Sequence, residues 1–158
     1  MIKVLLFDFS RTLIQPKPNS FTGKLNDLYR EVISKEGFNF YNHFYLNQEL
    51  LTFIKTLKNK YILAIYTTDI LQNDPAVKPI LDEIFNFVFA ANDLNISKRE
   101  SNGYNVIAER LKVNPNEIFF VDDLLANVEA AQEAGLQAIQ FISNEQLFNE
   151  LENKLSVH

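Results

Sequence analysis

The chain of 158 residues contains no cysteine, which excludes a disulfide frame and a thiolate metal centre and fits a reducing, cytoplasmic setting. It has no apolar run long enough to span a bilayer, and Met1 leads directly into the first apolar strand, so neither a membrane span nor a signal peptide is expected. It also lacks a basic stripe. Fifteen lysines and arginines stand against 20 acids, interspersed, for a net charge of −5, so nucleic acid is not an expected partner. Histidine is scarce: His43 lies inside an aromatic stretch and His158 at a chain end, and neither is given a catalytic role. No internal repeat or low-complexity run appears, and the Asn95-Ile96-Ser97 glycosylation pattern has no secretory context.

What is present is apolar material in an ordered pattern. An apolar fraction of 47% with 14 phenylalanines supplies a well-filled core, and the length corresponds to one domain. Lys3 to Phe7 is a continuous apolar run without alternation, as in a parallel strand covered on both faces. Residues 14–20, with two prolines, read as an extended connector; Thr22 is placed to cap a helix over 23–35 with Leu25, Leu28, Tyr29, Val32 and Ile33 on one stripe. The aromatic segment 38–45 has no helical period, and Asn47 caps a second helix reaching about residue 59. Further strands are expected at 61–66, 87–90, 118–121 and 137–142. Helices are expected over 74–84, 100–112, 125–134 and 145–155, with a polar loop over 92–99 and Gly135 at a left-handed helix end. This alternation predicts an α/β fold built on a doubly wound, parallel, five-stranded sheet.

Three of those strands end on polar residues: Asp8, Thr67 with Thr68 behind it, and the pair Asp122-Asp123. In a parallel sheet the carboxyl ends share one edge, where ligands collect, so these residues are expected to converge with Lys98 from the 92–99 loop. Carboxylates from two strands are hard oxygen ligands of the kind magnesium accepts, with water and a substrate phosphate completing the octahedron. Threonine hydroxyl and lysine ammonium would hold phosphoryl oxygens, and Asp8 is placed to attack phosphorus. Taken singly, Asp8 is equally a turn former, Asp122-Asp123 a helix cap, Lys98 a surface lysine and Thr67 a strand-end residue; their order along the chain favours a shared site.

Asp8-Phe9-Ser10-Arg11-Thr12-Leu13, Thr67, Lys98 with Tyr104 six positions on, and Val121-Asp122-Asp123 followed by Asn127 and Gly135 resemble the four ordered motifs of the haloacid dehalogenase superfamily. The resemblance spans the chain except for residues 14–46. It implies a Rossmann-like core over 1–13 and 47–158, with 14–46 as a reduced cap insert within a single domain, and it makes Asp8 the nucleophile. It places magnesium on Asp8, the backbone carbonyl of Ser10, Asp122 and Asp123, with Asp123 the foremost direct ligand and Asn127 close by; phosphate falls to Thr67, Thr68 and Lys98, and Thr67 and Lys98 join Asp8 in the catalytic set. The implied activity is a magnesium-dependent hydrolase, foremost a phosphatase, with no membrane partner, acting on a small or bulky phosphorylated substrate as a monomer or homodimer.

Two departures from the family pattern keep alternatives open. Ser10 stands where the phosphatases carry a second aspartate that protonates the leaving group, a role typically worth about 10²–10⁴ in rate. Arg11 replaces a glycine, and either clamps an anion or blocks the turn. A binding or regulatory domain without turnover, and a dehalogenase-type hydrolase, are the alternatives. The short insert implies an open site.

Overall fold

The computed structural model describes residues 1–155, so His158 lies outside the described residues. Strand β1 (Val4–Phe7) lies at the centre of a five-stranded sheet with β4 (Ile62–Thr67), β5 (Phe87–Ala90), β6 (Ile118–Asp122) and β7 (Gln137–Gln140), in the order β5-β4-β1-β6-β7. Every neighbouring pair is parallel, and β1 pairs Phe7 with Ile65 on one side and Val121 on the other. All four β1 residues are fully buried, which explains the missing alternation: both sheet faces are covered. Leu5 and Phe7 feed a layer with Phe119, Leu50, Leu51 and Leu81, whereas Val4 and Leu6 feed the opposite layer with Phe120, Ile107 and Ala131. Truncating such a leucine to alanine typically costs about 2–5 kcal/mol. The doubly wound α/β sheet expected from the sequence is the observed fold.

The remaining strands and α-helices are β2 (Ile14–Pro16), α1 (Leu25–Ile33), β3 (Phe44–Leu46), α2 (Gln48–Thr56), α3 (Lys78–Ile84), α4 (Ala91–Leu94), α5 (Ser101–Leu111), α6 (Leu125–Glu133) and α7 (Asn144–Leu155). Asn47 caps α2 as expected, accepting from the Leu50 N–H, and Gly135 takes φ +94° past α6. Among the described residues no helix is long and apolar enough to cross a membrane.

Several local expectations are corrected. Thr22 does not cap a helix at residue 23; α1 starts at Leu25, because Arg11 Nη2 donates to the carbonyls of Phe21 and Gly23 and holds that segment away from the helical path. Ile33 is exposed, so the buried stripe of α1 is Leu25, Tyr29 and Val32. The connector expected over 14–20 contains β2, which pairs antiparallel with β3 in a separate ribbon, Ile14 opposite Leu46. The helix expected from Asp74 begins at Lys78, since the Asp74 side chain instead accepts from the Ala76 N–H and the Tyr29 hydroxyl. The polar loop over 92–99 opens with the single turn α4, closed by Asn95 at φ +53°.

The segment 14–46 is anchored to the same apolar layer as Leu5 and Phe7 through Ile14, Leu25, Tyr29, Val32, Phe40 and Phe44. A buried polar tie to the core is the bond from Tyr29 Oη to Asp74 Oδ2 at 2.8 Å; burial and that carboxylate push the phenol up to about 12. Phe40 and Phe44 are core residues, and His43 stacks on Phe38 with ring centroids 6.0 Å apart.

Candidate active site

The central position of β1 decides where the acids meet. The Asp8 N–H donates to the Val121 carbonyl at 2.8 Å, so the first residue beyond β1 lies beside the last residues of β6. Carboxylate oxygens of Asp8, Asp122 and Asp123 all lie within 4.8 Å of one another, two of the acids buried and Asp123 partly so. Lys98 enters the cluster from the loop before α5. Its Nζ lies 2.5 Å from Asp8 Oδ1 and 2.8 Å from Asp122 Oδ2.

Three aromatic side chains hold that lysine. Its ammonium lies 5.5 Å from the centre of the Tyr66 ring and 5.7 Å from that of Phe120, in cation–π range. The Tyr104 hydroxyl donates to the Lys98 carbonyl at 2.6 Å, and the Tyr104 ring meets Tyr66 edge-on. Gly103 lets α5 come this close: a Cβ there would sit 2.6 Å from the Ser97 carbonyl oxygen and 2.8 Å from the Tyr66 hydroxyl. The sequence contains the signal for Tyr104, six positions after Lys98; the Tyr66 and Phe120 rings carry none beyond their place in apolar strands.

Three carboxylates share one ammonium. Burial, followed by the charge of Asp122, raises the Asp8 carboxyl well above the usual carboxylate range despite Lys98. Burial also raises Asp123. For Lys98 burial pulls downward, but the carboxylates of Asp8 and Asp122 outweigh it and hold the ammonium above its ordinary value. Asp122 is oriented by the Leu124 N–H at 2.8 Å and by Asn127 Nδ2 at 3.0 Å. The other end of that amide, Asn127 Oδ1, is buried and has no hydrogen-bond partner among the described residues. Surplus carboxylate charge and an unsatisfied amide oxygen are what a small hard cation would relieve, so the donor set fits magnesium.

The cluster forms the floor of a cleft of about 710 Å³, lined there by Asp8, Ser10, Thr68, Lys98, Asp123 and Asn127. Thr67 and Asp122 are buried and do not line it; of the two threonines at the end of β4, Thr68 is the one on the cleft. Ser10 makes an isolated bridge with Ile14 at the turn after β1. Arg11 does not block that turn. It adopts φ +62°, while its guanidinium braces residues 21–23 against the cleft wall; this brace has no signature in the sequence. Residues 22–27 form one side of the cleft.

An open parallel sheet with an acid–lysine cluster at its carboxyl edge defines a Rossmann-like domain. The family model for haloacid dehalogenase-like hydrolases matches residues 30–135, which include Thr67, Lys98 and the Asp122-Asp123 pair. The chain belongs to that family. It is 33% identical over 93 residues to Enolase-phosphatase E1 of Caenorhabditis elegans, covering 56% of this chain and 38% of the relative. It is 31% identical over 72 residues to Bifunctional epoxide hydrolase 2 of Mus musculus, covering 46% and 13%. The matches span well under two thirds of these curated relatives. Among solved structures, a haloacid dehalogenase family enzyme of Bacteroides thetaiotaomicron, in complex with magnesium and inorganic phosphate, superposes with TM-score 0.69 at 19% identity over 94% of this chain and all of that one. A HAD-like family hydrolase of Porphyromonas gingivalis superposes over the full length of both chains with TM-score 0.71 at 16% identity.

Proposed function

We propose that this chain is a magnesium-dependent phosphatase that cleaves a phosphate monoester through a phosphoryl group carried transiently on Asp8. The observation that carries this reading is the meeting of Asp8, Asp123, Lys98 and Asn127 on one cleft floor, with the buried Asn127 Oδ1 lacking a partner among the described residues. The relatives named for enolase-phosphatase activity, and the neighbour that binds magnesium and phosphate, support the same direction.

Asp8, Asp123 and the Ser10 carbonyl would hold the ion, with Asp122 and Asn127 behind them; when bound, it neutralises the carboxylate surplus and polarises phosphoryl oxygens. An Asp8 carboxylate oxygen forms a bond to phosphorus as the ester P–O bond breaks, and the leaving alkoxide takes its proton from solvent water, since position 10 carries a weakly acidic hydroxyl and not a carboxylic acid. Lys98 and Thr68 offset the charge on the transferring phosphoryl oxygens. Water then attacks the phosphorus on Asp8, releasing inorganic phosphate and restoring the carboxylate. Segment 14–46, with residues 22–27 on the cleft wall, serves as the reduced cap, leaving the cleft open to a small or bulky phosphorylated substrate.

A second reading is favoured by Ser10 alone: a domain that keeps the ion and the phosphate but does not turn over. One assay separates the two. With magnesium and a broad panel of phosphate monoesters, the parent is expected to exceed Asp8→Asn, and parity between them refutes the phosphatase. Activity confined to Ser10→Asp selects the binding domain.

A further inference from the structure

We infer that the mouth of the cleft carries a subsite for a second anionic group, so that the preferred phosphate monoester bears a carboxylate or a second phosphate on its alcohol part; the inference rests on the phosphate-site reading above. Charge accounting around the mouth supports it. Above the floor the charged lining residues are Arg11, Lys24, Asp27, Asp69 and Arg99. Both acids face Arg30, Asp69 at 2.6 Å and Asp27 at 3.9 Å. Arg11 is held by the Phe21 and Gly23 carbonyls. Lys24 and Arg99 are left over: both are exposed, both line the cleft, and neither forms an ion pair with any described residue.

These two cations come from separate elements, and each follows a pinned residue. Lys24 comes directly after Gly23, whose carbonyl is fixed by Arg11; Arg99 comes directly after Lys98, whose carbonyl is fixed by Tyr104. Their backbones are therefore preorganised while their side chains stay free, an arrangement that lowers the ordering cost of binding. An anionic substrate approaching an acid-rich floor is otherwise repelled, and uncompensated positive charge at the entrance both steers and retains it. Leu124, 47% exposed and lining the same cleft, offers apolar contact to the part of the substrate between its two charges.

Calorimetric titration with magnesium present, using non-hydrolysable alkylphosphonates and ω-phosphonoalkanoates of matched chain length, tests this. At the matching length the carboxylated member is expected to bind the parent roughly tenfold more tightly than its plain counterpart, the scale of two partly exposed charged contacts. That ratio is expected to fall to about one in the double variant Lys24→Ala/Arg99→Ala and to return in Lys24→Arg/Arg99→Lys. Equal binding of both ligands by the parent, or a preference that survives the double alanine variant, overturns the inference alone. If neither phosphonate nor inorganic phosphate binds the parent, the phosphate-site reading fails, and the inference with it.

Discussion

The two ends of the central sheet handle charge in opposite ways. At the amino end one base meets one acid: Lys3 Nζ lies 2.6 Å from Glu117 Oε1, with the lysine largely in solvent, and that bond holds the Glu117 carboxyl below its ordinary value. The same glutamate accepts from the Asn114 N–H, closing the turn before β6. At the carboxyl end three acids crowd one lysine, and burial drives the Asp8 carboxyl upward. One end is charge-balanced within the chain. The other keeps a surplus of carboxylate around one buried ammonium, and on the proposed function that surplus is what the ion offsets.

The sharpest contrast is kinetic. Asp8→Asn is expected to lower phosphate monoester turnover by about 10⁴-fold or more, the scale of losing a nucleophile, whereas Lys3→Met leaves it within about twofold. Comparable losses in both variants would erase the distinction between the ends. Ser10→Asp comes next: with an acid restored at the turn after β1, turnover of esters with poor leaving groups is expected to rise by about 10²–10⁴. A flat response across leaving groups would show that proton donation does not limit the reaction.

The third contrast concerns stability and its pH dependence. Asp8 and Asp123 have raised pKa values, so between the ordinary carboxylate pKa and the raised ones the folded chain holds more protons than the unfolded chain. Stability of the metal-free protein is therefore expected to fall as pH rises through that window, and magnesium to oppose the fall. Asp123→Asn, which removes one repelling charge, is expected to raise the metal-free Tm by about 2–4 °C, on the order of 1 kcal/mol, and to abolish the rise that magnesium gives the parent. Thermal scans in chelator and in magnesium measure both; a drop in the metal-free Tm would refute the repulsion. The smallest effect belongs to the other end, where Lys3→Met is expected to shift Tm by less than about 2 °C, as for a surface ion pair.

Much of this was legible in the sequence because strands buried on both faces leave continuous apolar runs, and an acid that ends such a run has few structural reasons to be there. Val4 to Phe7, Ile118 to Val121 and their terminal aspartates are of this kind. The β2–β3 ribbon was not legible: each strand is three residues long, one carries Pro16, and their pairing spans some thirty intervening positions with no local signal. Nor does a sequence reveal which of Thr67 and Thr68 faces the cleft, since a shift of one residue reverses the side a strand-end side chain faces. Arg11 escaped for a related reason: a left-handed backbone at a non-glycine residue is a property of the folded turn, not of the residue type.

The strand order has a consequence for the birth of the protein. Strand β1 is made before both of its partners and pairs Val4 with Ile62 on one flank and with Ile118 on the other, so its second flank stays bare until β6 has been synthesised. A nascent chain stalled before residue 118 exposes an apolar edge able to template association between copies, and its Asp8 has neither Asp122 nor Asp123 beside it.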